Sequence, residues 1–332
     1  MYDKWSLDVL YSGFDDPKFQ SDVKEMDNYI NAFDELAASL GTKDEKTTIT
    51  EILTLRESYQ THLMRLYSYC SLLQSTETTN PNCASYIGQL MQKDNATTKA
   101  ATLMEKYVAN VADLDAVIGD DAFLKEYRYL LTETQEASKY LLNEDVEEAL
   151  SRMDISGGTA WSDLQSYLTS TVKVDYNGEQ TTLSSIRNMA YDADAAVRKA
   201  AYEAEIAAYD KIKDSVAFSL NSIKMQDISA CQMRGHASPL DKVLFNSKMQ
   251  RATLEALLEA MKEYMPNFRS YLRAKAEALG HKNGLPWYDL FAPMGSSDKK
   301  YTVEEFAELN YNIDLCGYPH EEEEILAPQD LI

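Results

Sequence analysis

The chain has 332 residues, enough to bury one large core or two ordinary ones, and its 45% hydrophobic content is that of a globular protein, not a disordered one. Fifty-four acidic against 32 basic residues leave a formal charge of -22, a field that repels nucleic-acid phosphate and anionic membrane surfaces and tolerates cationic ligands or peptides. Cys70, Cys83, Cys231 and Cys316 are scattered with no C-x-x-C pair, which argues against a zinc ribbon or a thioredoxin-type site and for buried free thiols.

The N-terminus lacks a basic leader, and no apolar run approaches the ~20 residues of a membrane span. A cytoplasmic protein without nucleic-acid or membrane partners is therefore expected. From Ser21 the apolar positions Val23, Met26, Ile30, Phe33, Ala37 and Leu40 recur by threes and fours until Gly41, predicting a first helix. Thr48 with Glu51 three residues on has the form of a capping box. It would open a second helix through Ile52, Tyr59, Leu63, Leu66, Cys70 and Leu73, ending at Asn80-Pro81. A third is expected from about Cys83 to Ile118, before Gly119. Segments this long should lie antiparallel and pack ridges into grooves.

One segment has the period of a strand. Val172 to Tyr176 alternates, Asn177-Gly178 favours the positive φ angles of a type I′ turn, and Glu179 to Thr182 leads away, predicting a short β-hairpin. Ser156-Gly157-Gly158 and a helix with Trp161, Leu164 and Leu168 precede it, and Leu183, Ile186 and Met189 begin another helix after it. One very long helix is expected from Asp192 to about Arg234, with Val197, Ala201, Tyr209, Ile212, Val216, Leu220 and Ile223 inward. A last strong helix runs from Thr253 to Leu279, bent at Pro266 and capped by Gly280. Thr302 and Glu305 form a second capping box ahead of Val303 and Phe306, after which the periodicity gives way to a run of four glutamates, Glu321 to Glu324. A helix begun and not continued reads as a chain interrupted in mid-domain. The expected organisation is an all-α fold with one hairpin near 172-182: an N-terminal helical lobe over 1-150, a hairpin and long-helix region over 151-306, and an atypical acidic tail over 307-332.

Motifs that carry chemistry are mostly missing. Neither phosphate-binding glycine loop occurs, nor a G-x-S-x-G elbow, and none of the four histidines completes a Glu-x-x-His motif. His62 reads as a structural histidine, and His281 as a loop residue complementing a helix C-terminus. His320-Glu321 begins like a zinc-peptidase helix, but the fifth position is Glu324 instead of histidine, so it reads as a solvated charge run. Arg234 and His236 are more informative, because Gly235, Ser238 and Pro239 place them in a polar break between long helices. They are candidate binding residues. No catalytic residue and no metal ligand is assigned.

Several segments together resemble the N-terminal part of oligoendopeptidase F, in the thimet-oligopeptidase-like family of zinc metallopeptidases. They are Trp5-Ser6-Leu7 with Leu10-Tyr11-Ser12-Gly13 and Phe19; Ile155-Ser156-Gly157-Gly158 with Trp161 and Leu164; Arg198 with Ala201; Arg234-Gly235-His236 leading into Ser238-Pro239-Leu240-Asp241; and Leu285-Pro286-Trp287-Tyr288-Asp289-Leu290-Phe291-Ala292-Pro293. The resemblance implies the wall and lid of a deep channel that admits oligopeptides, with the zinc site supplied by a C-terminal catalytic half through H-E-x-x-H, a motif this sequence lacks. It further implies that zinc belongs to the full-length family, that this chain binds none, and that it is inactive alone. Tyr288 and Asp289 match a segment near the catalytic half and receive a structural or channel-lining expectation. The competing expectation is a non-catalytic helical peptide-binding or scaffold protein derived from that fold.

Overall fold

The computed structural model describes residues 6–295 together with Tyr301, Thr302 and Glu305; Trp5, Val303, Phe306 and the expected 307-332 tail with Cys316 and His320 lie outside the described residues. The chain separates into two units, one of Leu7–Ala292 and one of the terminal segments Met1–Ser6 and Pro293–Ile332. In the second unit the expected capping box is present: the Thr302 backbone N–H donates to Glu305 Oε2 at 2.8 Å and the Glu305 N–H to Thr302 Oγ1 at 3.1 Å.

Three long helices build the first half of the larger unit: α1 (Pro17–Ala38), α2 (Glu45–Thr76) and α3 (Pro81–Ala109). Their starts correct the sequence reading. Asp16 accepts from the Lys18 N–H with Pro17 at the first helical position, so α1 begins ahead of Ser21. The cap of α2 is Asp44, which accepts from Thr47 N at 2.9 Å, because a carboxylate caps the positive helix end better than the Thr48 hydroxyl. Thr48 lies inside the helix, where its hydroxyl donates back to Asp44 O. Asn80 opens α3 instead of merely closing α2, and α3 stops at Ala109, well short of Ile118.

Ring contacts fix the directions. Phe19 meets Tyr69 and Phe33 meets Tyr59, so α1 and α2 are antiparallel as expected, while Phe19 also meets Tyr86, near the start of α3. Tyr11, Phe19, Met26, Leu66, Leu90 and Met104 are fully buried in this core. Short helices α4 (Leu114–Ile118), α5 (Ala122–Glu126) and α6 (Arg128–Ala137) close its end through Leu114, Ile118, Leu124 and Leu131. Helix α7 (Glu144–Asp154) then packs along α3.

After α8 (Ala160–Thr171) comes the expected hairpin, β1 (Lys173–Tyr176) against β2 (Glu179–Thr182), with Lys173 opposite Thr182 and Tyr176 opposite Glu179. Asn177 (φ 52°) and Gly178 (φ 85°) both take the positive φ of the predicted turn. Val174 points from the hairpin into a small second core with Val172, Leu183, Ile186, Ala201, Ala208 and Ile212. This core lies between the hairpin, α9 (Leu183–Asn188) and α10 (Ala195–Tyr209).

The single long helix expected from Asp192 to Arg234 is two, α10 and α11 (Lys213–Met233), broken at 210–212. Ile212 leaves the helical conformation to sink into the second core, which the straight helix would not have allowed. Downstream of that break the inward face shifts: Leu220 is exposed and Ser219 is buried. Helix α12 (Pro239–Asn246) follows, and α13 (Arg251–Ala278) carries Pro266 in its interior. Among the described residues no helix is long and apolar enough to cross a membrane. Cys70, Cys83 and Cys231 are free and buried, and burial, reinforced by neighbouring Cys83, pushes the Cys70 thiol up to about 12.

Candidate functional site

The Gly157-Gly158 segment does not form an ordinary loop. Asn143 caps α7, and the chain leaves that helix through one wide turn, Ile155–Thr159, before α8. Wide turns of this kind open a helix wall and often mark functional sites. Gly157 is non-helical (φ -97°, ψ -116°), and a Cβ there would stand 2.2 Å from Gln226 Oε1. That oxygen accepts from the Gly158 N–H at 2.7 Å, while the Gln226 amide donates to Asp154 Oδ1. Thr159 Oγ1 donates to the other Asp154 oxygen at 2.9 Å. Thus α11 is bound to the opened turn by a side-chain amide that only a glycine lets approach.

Nine residues after Gln226, just past the end of α11, the chain reverses at Gly235 (φ 79°), where any side chain would be strained. Arg234 there makes a bidentate pair with Glu147 on α7, both nitrogen–oxygen distances being 2.6 Å, and also donates to the Tyr140 carbonyl at 3.2 Å. Burial raises the Glu147 carboxyl, but the Arg234 hydrogen bonds and the Leu142 N–H at 2.9 Å outweigh it, holding Glu147 below the usual carboxylate range. His236 stacks on Tyr140 with ring centroids 3.7 Å apart. Burial lowers its pKa, and the nearby Lys242 and Arg234 charges lower it further. Its Nδ1 is buried with no hydrogen-bond partner among the described residues.

These groups line one cleft of about 1290 Å³ between the α3–α7 wall and the α11–α12 wall. The opened turn, Asp163, Gln226, Arg234 and His236 all face it. Desolvation there pushes the Asp163 carboxyl above its ordinary range. A neighbouring cleft of about 690 Å³ shares Asp94, Thr98, Leu141, Glu147 and Arg234 with the first, so the ion pair stands where the two meet. Glu147 escaped sequence reasoning because it sits in the acidic run Glu144-Asp145-Val146-Glu147-Glu148, where nothing local separates a buried carboxylate from solvated ones.

Tyr288 and Asp289, the other two candidates, do not line either cleft. Asp289 is 1% exposed and pairs with Arg198, 3% exposed, through Nε and Nη2 contacts of 2.8 Å. Arg198 also donates to the Asp192 and Ala193 carbonyls, and His281 Nε2 lies 2.5 Å from the second Asp289 oxygen. His281 is a loop residue after α13, as expected, and from there its ring reaches the buried Arg198–Asp289 pair that joins α10 to the segment after α13. Tyr288 contacts Tyr202 on α10, with ring centroids 5.9 Å apart.

The histidines are dispersed. His62 Nε2 contacts the Asp22 carbonyl at 2.7 Å, His236 is in the Tyr140 stack and His281 is on Asp289. Among the described residues no group of three or more histidines, cysteines or carboxylates is placed to hold a metal ion. The donors among the described residues do not fit a catalytic zinc.

A family profile described as Oligopeptidase F matches residues 109–173. The oligopeptidase PepF of Bacillus subtilis is 22% identical over 318 residues, covering 91% of this chain and 46% of that protein. The group B oligopeptidase PepB of Streptococcus agalactiae is 19% identical, covering 91% of this chain and 51% of that one. Among solved structures, the oligoendopeptidase-F of Enterococcus faecium superposes with a TM-score of 0.72 at 16% identity, over 83% of this chain and 56% of that chain. The chain spans about half the length of the curated relatives it matches.

Proposed function

We propose that this chain forms the channel wall of a zinc-dependent peptidase acting on short peptides, a reading supported by its similarity to oligopeptidase F proteins over about half their length. The observation that supports this is the 1290 Å³ cleft, walled by two helical layers and opened by the wide turn at Ile155–Thr159. An extended peptide presents alternating donors and acceptors, and Asn95, Thr98, Ser162 and Gln226 are polar side chains of this cleft's lining. Glu147 neutralises Arg234, and Lys242 pairs with Asp227. Among the described residues Asp94, Asp154 and Asp163 make no ion pair in the cleft they line, which favours a peptide amino terminus or basic side chain.

The hydrolytic chemistry is assigned to a zinc-binding catalytic half of the kind the sequence resemblance implies. The 332 residues by themselves are proposed to bind no catalytic zinc and to cleave nothing. The cytoplasm is the proposed location, where the buried thiols stay reduced. Two measurements on the purified chain test the reading. A short fluorescent peptide should bind, more weakly after Gln226→Ala, and a quenched-fluorescence peptide should stay uncut with or without added zinc. Zinc-dependent cleavage, or peptide binding indifferent to Gln226→Ala, contradicts it.

A further inference from the structure

Of the aspartates in the large cleft, the chain itself engages two. Asp94 accepts from the Tyr59 hydroxyl at 2.5 Å. Asp154 accepts from Thr159 on one oxygen and from the Gln226 amide on the other. Asp163 differs from both. It lines the cleft from the first turn of α8, and among the described residues its carboxylate has neither a hydrogen bond nor an ion pair.

The ordinary roles of an aspartate at such a position do not account for it. Near a helix start a carboxylate commonly caps free N–H groups, but α8 has no side-chain cap and continues directly from the wide turn. A fully solvated carboxylate would keep its ordinary pKa. Burial raises that of Asp163, and burial is the sole cause, for no neighbouring acid or cation contributes. The residue is nonetheless exposed, so a ligand can reach it. Met153, Ile155 and Ile223 line the same cleft, and apolar walls of this kind thin the water around a charge. A desolvated, unpaired carboxylate costs a fold stability, and in a cleft it marks a binding position.

The chemistry that suits it is narrow. A divalent cation needs several oxygen ligands, and among the described residues no group of three or more histidines, cysteines or carboxylates is placed to hold one. A phosphate or carboxylate would be repelled. An organic cation fits, because its charged head meets the single carboxylate while its carbon stem packs on the apolar lining. We propose that Asp163 is the specificity-determining residue that selects peptides by positive charge, pairing with an amino terminus or a basic side chain. The proposal rests on the peptide-cleft reading and deepens it: the preference comes from one carboxylate, not from the cleft's other acids or the chain's overall charge.

Short fluorescent peptides of otherwise identical sequence, offered to the purified 332-residue chain, test it. One has a free amino terminus and no basic residue, one is N-acetylated, and one is N-acetylated with a central lysine. The neutral, acetylated peptide reports binding to the cleft as such. The free amino terminus, the lysine or both should bind about tenfold tighter, the worth of one charge-assisted hydrogen bond. Whichever gains identifies the source of the charge. Asp163→Asn should bring the cationic peptides down to the affinity of the neutral one, and its melting temperature should be unchanged or higher, because an unpaired desolvated charge is gone. Asp163→Glu, which keeps the charge, should keep most of the gain. Asp34→Asn, on the exposed surface of α1 outside both clefts, removes an equal charge from the overall field and should change nothing. Equal binding of neutral and cationic peptides, a preference that survives Asp163→Asn, or a loss that Asp34→Asn reproduces would each overturn the assignment and leave the cleft reading standing. If no peptide binds at all, both are overturned.

Discussion

The two halves of the larger unit solve the problem of helical packing to different degrees. In α1–α6 the apolar faces converge on one core, with Phe19, Met26, Leu66, Leu90 and Met104 fully enclosed. Beyond residue 155 the buried core is small and hairpin-centred. There α11 leaves Phe218, Leu220 and Met225 exposed, and α13 leaves Leu258, Met261, Met265 and Phe268 exposed. Both regions have helices of similar length and amphipathic pattern, so pattern alone does not close a core. What differs is that α1, α2 and α3 have each other as antiparallel and parallel neighbours, whereas among the described residues little packs beside α13. In its place, buried ion pairs and a side-chain amide tie the second region together.

That contrast can be broken from either side. The largest effect is expected at the buried pair: Asp289→Ala strands the Arg198 guanidinium and should destabilise the second region by about 3–5 kcal/mol. Denaturant unfolding should then show a separate, earlier transition while the α1–α3 core persists. Next, Leu66→Ala should cost about 2–5 kcal/mol because it empties a closed core. Met261→Ala should change the stability by under about 0.5 kcal/mol. Equal effects at the two sites would erase the distinction between the regions.

Gly157→Ala drives a methyl group into Gln226 and should cost about 1–3 kcal/mol. Gln226→Ala in the same chain should recover most of the overpacking share, and a double-mutant cycle measures that coupling. A modest effect is expected for Glu147→Gln, about 1 kcal/mol once partial exposure of Arg234 is allowed for. Its sign with pH is defined. The Glu147 carboxyl sits below its ordinary value, so its contribution is present above the unfolded-state pKa and lost as pH falls through the folded one. An acid titration of stability should therefore be shallower in Glu147→Gln than in the unsubstituted chain.

Much of the fold was legible because it is local. The threes-and-fours pattern located α1, α2 and α13, the Asn177-Gly178 pair located the hairpin turn, and Thr302 with Glu305 located a cap. The errors were local as well: Asp44 outcompeted Thr48 as a cap, and Ile212 broke a helix that periodicity alone would continue. Of the candidate site, Arg234 and His236 were legible through the turn chemistry around Gly235, and both line the large cleft. Asp289, in contrast, is part of the buried Arg198 pair, outside that cleft.

By itself, the sequence determined that this is an acidic helical chain with one hairpin, buried thiols and no H-E-x-x-H motif. Propensity, capping and periodicity act within a few residues, so one chain suffices to read them. Only the tertiary structure decided that Glu147 meets Arg234 across 87 positions, that Asp289 meets Arg198 across 91, and that Gln226 lies against Gly157. Those choices depend on which distant surfaces become neighbours when the helices pack. A carboxylate buried against an arginine and one left in water have the same letter until that packing has happened.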